Sequence, residues 1–326
     1  MNRIQDVAGG MIQGGKQKKK EKKYYGKFLI LILFIILSLE YYAYVFEVML
    51  TSINPKNFKF ILTLLIIFHL LFLLLLMAFI STMTTNPGEI PLYWGFYIGD
   101  DDYKRKRYCL ICNAFKPERS HHCSVCNICV LNMDHHCPWV DNCIGFYNRK
   151  YFIQLLIIAT TLTLYIDISE IYYIFEMSRR LVNKHIKYSE LFHVGFAIIC
   201  YLSIFIFSFI ITMFLKFHLK LVLTNSTTIE SLDTEHKKDY AKFDIGSRQN
   251  WEQVFGSDVL FWFFPIPTKR GKPEGDGLTW KTNESITLES NIKPDRNLNK
   301  NYEKNNNNYD TNYDSNNIPF SAGEKY

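Results

Sequence analysis

Cys109-x2-Cys112, His121-His122-Cys123-x2-Cys126-x2-Cys129, Asp134-His135-His136-Cys137 and Cys143 follow one another between residues 109 and 143. Seven of the eight cysteines of the chain fall in this stretch, together with four histidines. So thiol-rich and aliphatic-poor a segment cannot build its own hydrophobic core. Metal ligation would supply the missing folding free energy, roughly 10–16 kcal/mol per structural zinc in small peptides. Cys-x2-Cys lets two thiolates of one tight turn reach a single ion, so the pairs Cys109/Cys112 and Cys123/Cys126 imply two ions. Each needs two more ligands from among His121, His122, Cys129, His135, His136, Cys137 and Cys143, and spacing alone leaves the choice open. Two tetrahedral sites consume eight ligands, whereas the stretch offers eleven. The surplus is where chemistry is expected: a free cysteine beside a histidine becomes a thiolate nucleophile, with imidazole as base and a carboxylate fixing the tautomer.

Working outward, the cluster is flanked by apolar runs. Residues 24 to 49, 58 to 80, 152 to 175 and 191 to 215 are each long enough to cross the roughly 30 Å hydrocarbon core as a helix. The expected fold is therefore an all-α integral membrane protein, four transmembrane helices with a cytosolic two-zinc cysteine-rich domain between helices 2 and 3. Lys16, Lys18, Lys19, Lys20, Lys22, Lys23 and Lys27 precede the first run. Beside such a run a basic block marks a cytoplasmic flank attracted to anionic lipid rather than a nucleic-acid surface. Lys104, Arg105, Lys106, Arg107, Arg149 and Lys150 place the cluster loop on the same side, and an even number of spans puts both termini there. Arg179, Arg180, Lys184 and Lys187 dissent from this topology. The cytosolic reading prevails because an oxidising compartment would favour disulfides over zinc thiolates. The first run is too long for a signal-peptide core and lacks a small-residue cleavage site, so it is expected to be retained, and Asn2 excludes N-terminal myristoylation.

The chain divides into a disordered basic segment (1–23), helices 1 and 2 (24–80), the zinc domain (81–151), helices 3 and 4 (152–215), a C-terminal segment (216–267) and a disordered Asn-rich tail (268–326). Within the spans, Glu40 and Glu47 are read as facing other helices or the interface, and His69 as a packed or hydrogen-bonded helix contact. The aromatic stretch from Phe261 to Phe264 is too short to cross and is expected at the interface or beneath the bundle. A membrane-tethered zinc module that only recruits partners would need neither Cys137 nor His135. A transporter would line its spans with polar residues, and Glu40, Glu47, His69, Asp167 and Glu170 form no evident pathway.

The cluster resembles the cysteine-rich domain of the DHHC family of protein S-acyltransferases. The resemblance rests on the spacing from Cys109 to Cys143, on Lys116-Pro117-x-Arg119-Ser120-His121-His122-Cys123, and on Cys137-Pro138-Trp139-Val140-x-Asn142-Cys143-Ile144-Gly145. Thr227-Thr228-x-Glu230 and Asn250-x3-Val254-Phe255-Gly256 resemble further motifs of the family, and the likeness covers roughly residues 24 to 267. It implies one zinc on Cys109, Cys112, His122 and Cys129 and another on Cys123, Cys126, His136 and Cys143. Cys137 is then the acylated nucleophile, His135 its base and Asp134 the orienting partner. His121 is left as a packing or supporting residue, and Trp139 stands at the mouth of an acyl cavity. Thr227, Thr228, Glu230 and Asn250 tie the C-terminal segment to the bundle and the zinc domain.

The implied co-substrate is palmitoyl-CoA, and the implied acceptors are cysteine-containing proteins at the surface of the lipid bilayer, with no nucleic-acid partner. The implied location is an endomembrane, Golgi or ER ahead of the plasma membrane. Arg105, Arg107, Lys116, Arg119 and Lys150 are candidates for the CoA phosphates, each weighed against an ordinary solvated or lipid-facing charge. One departure stands out: Asn86-Pro87-Gly88 replaces the family's Asp-Pro-Gly, which keeps the turn and its side-chain hydrogen bond but loses a charge.

Overall fold

The computed structural model describes residues 25–92, 94–95, 107–183 and 191–285, without the side chains at 177–178, 180–181 and 237–238. The lysine block before Tyr25, Lys104 to Lys106, Lys184, Lys187 and the asparagine run lie outside the described residues. Four long helices dominate: α1 (Tyr25–Tyr42), continued as a wider π-helical segment over Ala43–Leu50, α2 (Phe58–Thr84), α3 (Arg149–Val182) and α4 (Leu191–Leu223). All four contain stretches long and apolar enough to cross a membrane. No glycine or proline interrupts α2, which stops just before Asn86-Pro87, where proline disfavours a further helical residue.

α4 runs eight residues past the apolar run that marked it, from 215 to Leu223. Those last turns bury His218, Leu221 and Val222 while exposing Lys216 and Lys220, an amphipathic pattern that a hydropathy window undervalues.

α2 packs on α3 and α3 on α4, around a core that includes Tyr44, Phe68, Leu75, Ala78, Ile158, Leu162 and Ala197. The outer faces remain apolar, with Phe60, Leu70, Ile199 and Phe209 all exposed. Polar side chains within the bundle turn toward neighbouring helices. His69 Nε2 lies 3.0 Å from Tyr41 Oη and Nδ1 2.6 Å from Leu65 O, so of the packed or hydrogen-bonded contact expected it makes the second. Glu47 meets His193 at 3.1 Å and Glu40 accepts from Ser203.

Between α2 and α3 the chain departs from an all-α description. Three antiparallel hairpins follow one another: β1 (Tyr108–Cys109) with β2 (Ala114–Phe115), β3 (His121–Cys123) with β4 (Ile128–Val130), and β5 (His135–Cys137) with β6 (Asn142–Ile144). Their strands are only two or three residues long, too short for periodicity to reveal. Each turn passes through a left-handed residue, Asn113, Asn127 or Asp141, the residue types that tolerate that conformation best after glycine.

After α4 come α5 (Thr228–Leu232), α6 (Lys237–Tyr240), α7 (Ser247–Phe255) and a 3₁₀ turn over Val259–Trp262. Thr227 caps α5 through a capping box with Glu230. The aromatic stretch is held beneath the bundle: Ser81 Oγ donates to Pro265 O at 2.6 Å and Gln154 Nε2 to Trp262 O at 2.9 Å. Residues 268 to 280, expected to join the disordered tail, are instead packed. Trp280 lies 4.4 Å from the Arg119 guanidinium and 5.8 Å from the Phe146 ring, and Glu274 N–H donates to Gln253 O at 3.0 Å. A low-complexity composition concealed one aromatic anchor. Residues 281–285 belong to a separate unit, in which Thr282 and Ser285 bond to each other.

Candidate active site and metal centres

The hairpins set their ligands by register. His122 pairs with Cys129 across β3/β4, and His136 with Cys143 across β5/β6. Each His-Cys pair closes on the Cys-x2-Cys turn of the preceding hairpin, so Cys109, Cys112, His122 and Cys129 form one cluster and Cys123, Cys126, His136 and Cys143 a second. Within each, all four ligand atoms lie within 4.8 Å of one another. A zinc tetrahedron with bonds of about 2.3 Å to sulfur and about 2.0 Å to nitrogen has edges of about 3.8 Å (S···S) and about 3.5 Å (S···N). The observed edges are 3.2 and 3.8 Å from His122 Nδ1 to Cys112 and Cys129, 3.4 and 3.6 Å from His136 Nδ1 to Cys126 and Cys143, and 3.5 Å between Cys126 and Cys143. The donor sets and spacings both fit zinc.

Cys137 belongs to neither cluster. It is buried at the seam between hairpin and helices, in one apolar cluster with Phe79, Val140, Phe152, Leu156, Val222 and Phe255. Its cross-strand partner Asn142 donates to Thr82 O, Met83 O and Thr85 O at 3.2, 3.1 and 3.0 Å. These carbonyls close the end of α2, Thr82 O accepting from Asn148 Nδ2 as well at 3.3 Å, so the bolt that satisfies them also fixes Cys137 at the foot of the bundle. Asn148 adds a bond to Cys143 O at 2.8 Å. On the other flank Gly26, buried at the start of α1, touches the same hairpin: a Cβ there would run into the Asp141 side chain.

Asp134 is fully buried. Its Oδ1 accepts from Thr228 N–H at 2.9 Å and its Oδ2 from Thr228 Oγ1 at 2.9 Å. Burial alone would push this carboxyl up, but Arg149 at 3.6 Å, the hydrogen bond with His135 and the nearby His218 hold it well below the usual carboxylate range. An ionised carboxylate only accepts, so at 2.7 Å His135 Nδ1 is the donor and Nε2 is the basic nitrogen. Burial also disfavours the charged His135, yet Asp134 and then Cys137 outweigh it and raise the imidazole to about 9. Asp134 is thus hydrogen-bonded to His135, and Cys137 adds to the shift of the same imidazole.

His218 is buried on α4 with its ring centroid 5.7 Å from that of His135 and Nδ1 3.8 Å from Asp134. Neither this histidine nor the role of Arg149 is visible in the sequence motifs. Both lie at helix ends, where a lone polar residue reads as a flank. Arg119 is no solvated charge: it is buried, with Nε 2.7 Å and Nη2 2.8 Å from the Glu230 carboxylate and Nη1 3.0 Å from Asn225 Oδ1. Lys150 is buried too, donating to Gly271 O at 2.9 Å, and Arg107 donates to Pro117 O at 2.9 Å. Arg105 lies outside the described residues. Asn250 Nδ2 donates to Leu223 O and Asp244 Oδ1, both at 2.7 Å, Asn86 Oδ1 accepts from Gly88 N–H at 2.8 Å, and Trp139 is half exposed. His121 faces Val130 across β3/β4.

Comparison with known proteins agrees with this geometry. A family model described as DHHC palmitoyltransferase matches residues 102–235. Palmitoyltransferase ZDHHC20 of Homo sapiens is 30% identical over 280 residues, covering 74% of this chain and 73% of that protein. Probable protein S-acyltransferase 13 of Arabidopsis thaliana is 32% identical over 268 residues, 76% and 87% of the two chains. Palmitoyltransferase ZDHHC15 of Xenopus laevis is 32% identical over 286 residues, 77% and 80%. The chain belongs to the DHHC palmitoyltransferase family of acyl-transferring enzymes.

Proposed function

We propose that this protein transfers a long-chain fatty acyl group, palmitoyl above all, from acyl-CoA to cysteines of membrane-apposed proteins through an acyl-enzyme on Cys137. The observation that carries this reading is the chain Asp134–His135–Cys137, with a 2.7 Å Asp134–His135 bond and Cys137 acting on His135. His135 takes the Cys137 proton as the sulfur attacks the thioester carbonyl. The C–S bond to CoA breaks, and the leaving thiolate collects that proton from the imidazolium. In the second half His135 takes the proton of the acceptor cysteine, whose sulfur attacks the acyl carbon, and Cys137 leaves as thiolate and is reprotonated. Asp134 keeps the imidazole in the productive tautomer and balances its charge.

Cys109, Cys112, His122 and Cys129 would hold one zinc, and Cys123, Cys126, His136 and Cys143 the other. When bound, these ions supply folding free energy rather than reactivity. The four long helices cross the bilayer, with both termini and the zinc domain on the cytosolic side of an endomembrane. Their apolar outer faces meet lipid, and Cys137 sits at their cytosolic end. Burying an acyl chain contributes roughly 0.8 kcal/mol per methylene, which favours a site at the foot of a membrane bundle. Trp139, half exposed beside Cys137, stands at its mouth.

The test is incubation of the purified protein with labelled palmitoyl-CoA. Wild type should carry one hydroxylamine-sensitive acyl group and Cys137→Ser none. Equal labelling of both proteins would remove Cys137 from the role.

A further inference from the structure

One cavity lies apart from the catalytic chain. A groove of about 570 Å³ runs between α3, the end of α4, α7 and the aromatic turn, walled by Ile157, Ile158, Leu223, Trp251, Trp262 and Phe263. Its size falls within the roughly 300–1,000 Å³ of small-molecule sites. At 3.6 residues per turn, Ile157 and Ile158 stand about 140° and about 120° around α3 from Phe152, whose ring lies 5.1 Å from that of His135. The groove thus opens on another face of α3, although Ile157, Trp251 and Trp262 back onto the buried cluster that holds Cys137.

The walls are mostly aliphatic and aromatic, with Gln154 and Ser247 the uncharged polar residues and Arg248 the charged one. Arg248 lines it at the start of α7, largely exposed, with Nε on Glu252 at 3.0 Å. Lys220 is exposed one turn before Leu223 on α4. The segment leaving the aromatic turn carries exposed Lys269, Arg270 and Lys272, with Gly271 against Phe261. Two wall residues keep a buried polar atom without a partner, Trp251 Nε1 and Gln154 Oε1, as expected of a site whose polar complement comes from a ligand. Depth agrees as well. The residues from Gln154 to Ile158 stand about 7 to 14 Å along α3 from Arg149, at about 1.5 Å per residue, spanning the boundary between headgroups and acyl chains. Beside them Val259, Leu260 and Phe263 are exposed at 52%, 62% and 67%, an apolar edge facing the same layer.

We propose that this groove holds one anionic glycerophospholipid of the surrounding bilayer, its acyl chain along Ile157, Ile158, Trp262 and Phe263 and its phosphate at the Arg248 guanidinium. The lipid cements α7 and the aromatic turn to the base of α3 and α4. Charge complementarity selects the anionic class, because Arg248, exposed although paired with Glu252, lines the groove, and exposed Lys269, Arg270 and Lys272 follow the aromatic turn. The proposal rests on the reading that the four helices cross a membrane, not on the acyl-transfer chemistry.

Native mass spectrometry of the full chain in detergent micelles, with phosphatidylglycerol or phosphatidylcholine of identical acyl chains added, tests it. One phosphatidylglycerol per chain should be retained about fivefold more strongly than phosphatidylcholine, the effect of roughly one basic side chain near an anionic surface. Arg248→Gln should bring the ratio near one, and Ser247→Trp, which fills the groove from an exposed position, should lose the retained lipid. Both variants should label at Cys137 like wild type, which separates this site from the catalytic one. Equal retention of the two lipids by wild type, an unchanged ratio in Arg248→Gln, or displacement of the lipid by palmitoyl-CoA at one to one would overturn the assignment. Should Ser247→Trp fail to fold, Arg248→Gln decides alone.

Discussion

The second and third hairpins repeat each other at a spacing of 14 residues and do different things. Ser120-His121-His122-Cys123 becomes Asp134-His135-His136-Cys137, and Asn127 and Asp141 make the same left-handed turn. In both, the second histidine faces a cysteine across the register and lies in a metal cluster. The first histidines part company. Burial, with Arg107 and Lys116 nearby, lowers the pKa of His121, whereas Asp134 lifts that of His135 to about 9 against the same burial penalty. The thiols part as well. Cys123 opens a Cys-x2-Cys turn, but at the equivalent of Cys126 the third hairpin has Val140, so Cys137 starts a turn that no second thiol completes. The third hairpin differs from the second by one carboxylate gained and one cysteine lost.

The largest expected contrast is between the two equivalent cysteines. Cys123→Ala should lose one of two zinc ions per chain and unfold the second cluster, since ligation supplies roughly 10–16 kcal/mol in small peptides. Cys137→Ala should keep both ions and its melting temperature while losing all acylation. Metal analysis and thermal melting of the two variants read this directly, and a Cys137→Ala protein short of one ion would merge the two roles.

Asp134→Ser converts the third tetrad into the second. With the carboxylate gone, His135 loses its raised pKa and fixed tautomer, and acylation should fall by about 10²- to 10⁴-fold, the usual range for a general base. Zinc content should stay at two. The pH profile supplies a second reading: although burial disfavours the charged imidazole, Asp134 holds wild-type His135 up to about 9, and without that carboxylate the variant's imidazole should lose its proton at a lower pH. A variant within twofold of wild type across pH would remove Asp134 from the mechanism.

How much of this contrast the residues announce depends on the scale at which they act. The two Cys-x2-Cys turns and the four apolar runs are local, and spacing alone marks them. Sorting His122 and His136 from His121 and His135 needs the hairpin register, which strands of three residues do not advertise, although the 14-residue recurrence from Cys109 through Cys123 to Cys137 carries it. Arg119, Arg149 and His218 are illegible for another reason: what each does depends on partners about 70 to 110 residues away, such as Glu230, Ser226 and Asp134. Trp280 likewise packs on Arg119 from a segment whose composition reads as tail.

α5 treats the two hairpins in parallel, which gives a gentler comparison. Glu230 grips Arg119 at the entry to the second hairpin, and Thr228 grips Asp134 at the entry to the third. Removing one member of a buried ion pair costs about 3–5 kcal/mol, so Arg119→Leu should lower the melting temperature strongly. Thr228→Val loses one hydroxyl bond of about 1 kcal/mol but keeps the backbone N–H to Asp134. Its melting temperature should shift little while its acylation rate falls by up to about tenfold. If the two variants ranked the other way in stability, the assignment of these clamps would be reversed.

The finest test rebuilds what the third hairpin lacks. Val140 is buried at the position equivalent to Cys126, and Val140→Cys is close in volume, so in chelator-treated buffer the variant should fold and acylate near the wild-type rate. The substitution completes a Cys-x2-Cys turn that starts at Cys137, with His135 alongside. Cys137, the new thiol and His135 would make a metal site weaker than the four-donor clusters. Micromolar zinc should inhibit the variant reversibly and leave wild type unaffected, because a bound ion would occupy the Cys137 thiolate and the His135 nitrogen needed for catalysis. Identical zinc sensitivity in the two proteins would mean that Cys137 is not held in knuckle geometry, and that the third hairpin resembles the second in sequence alone.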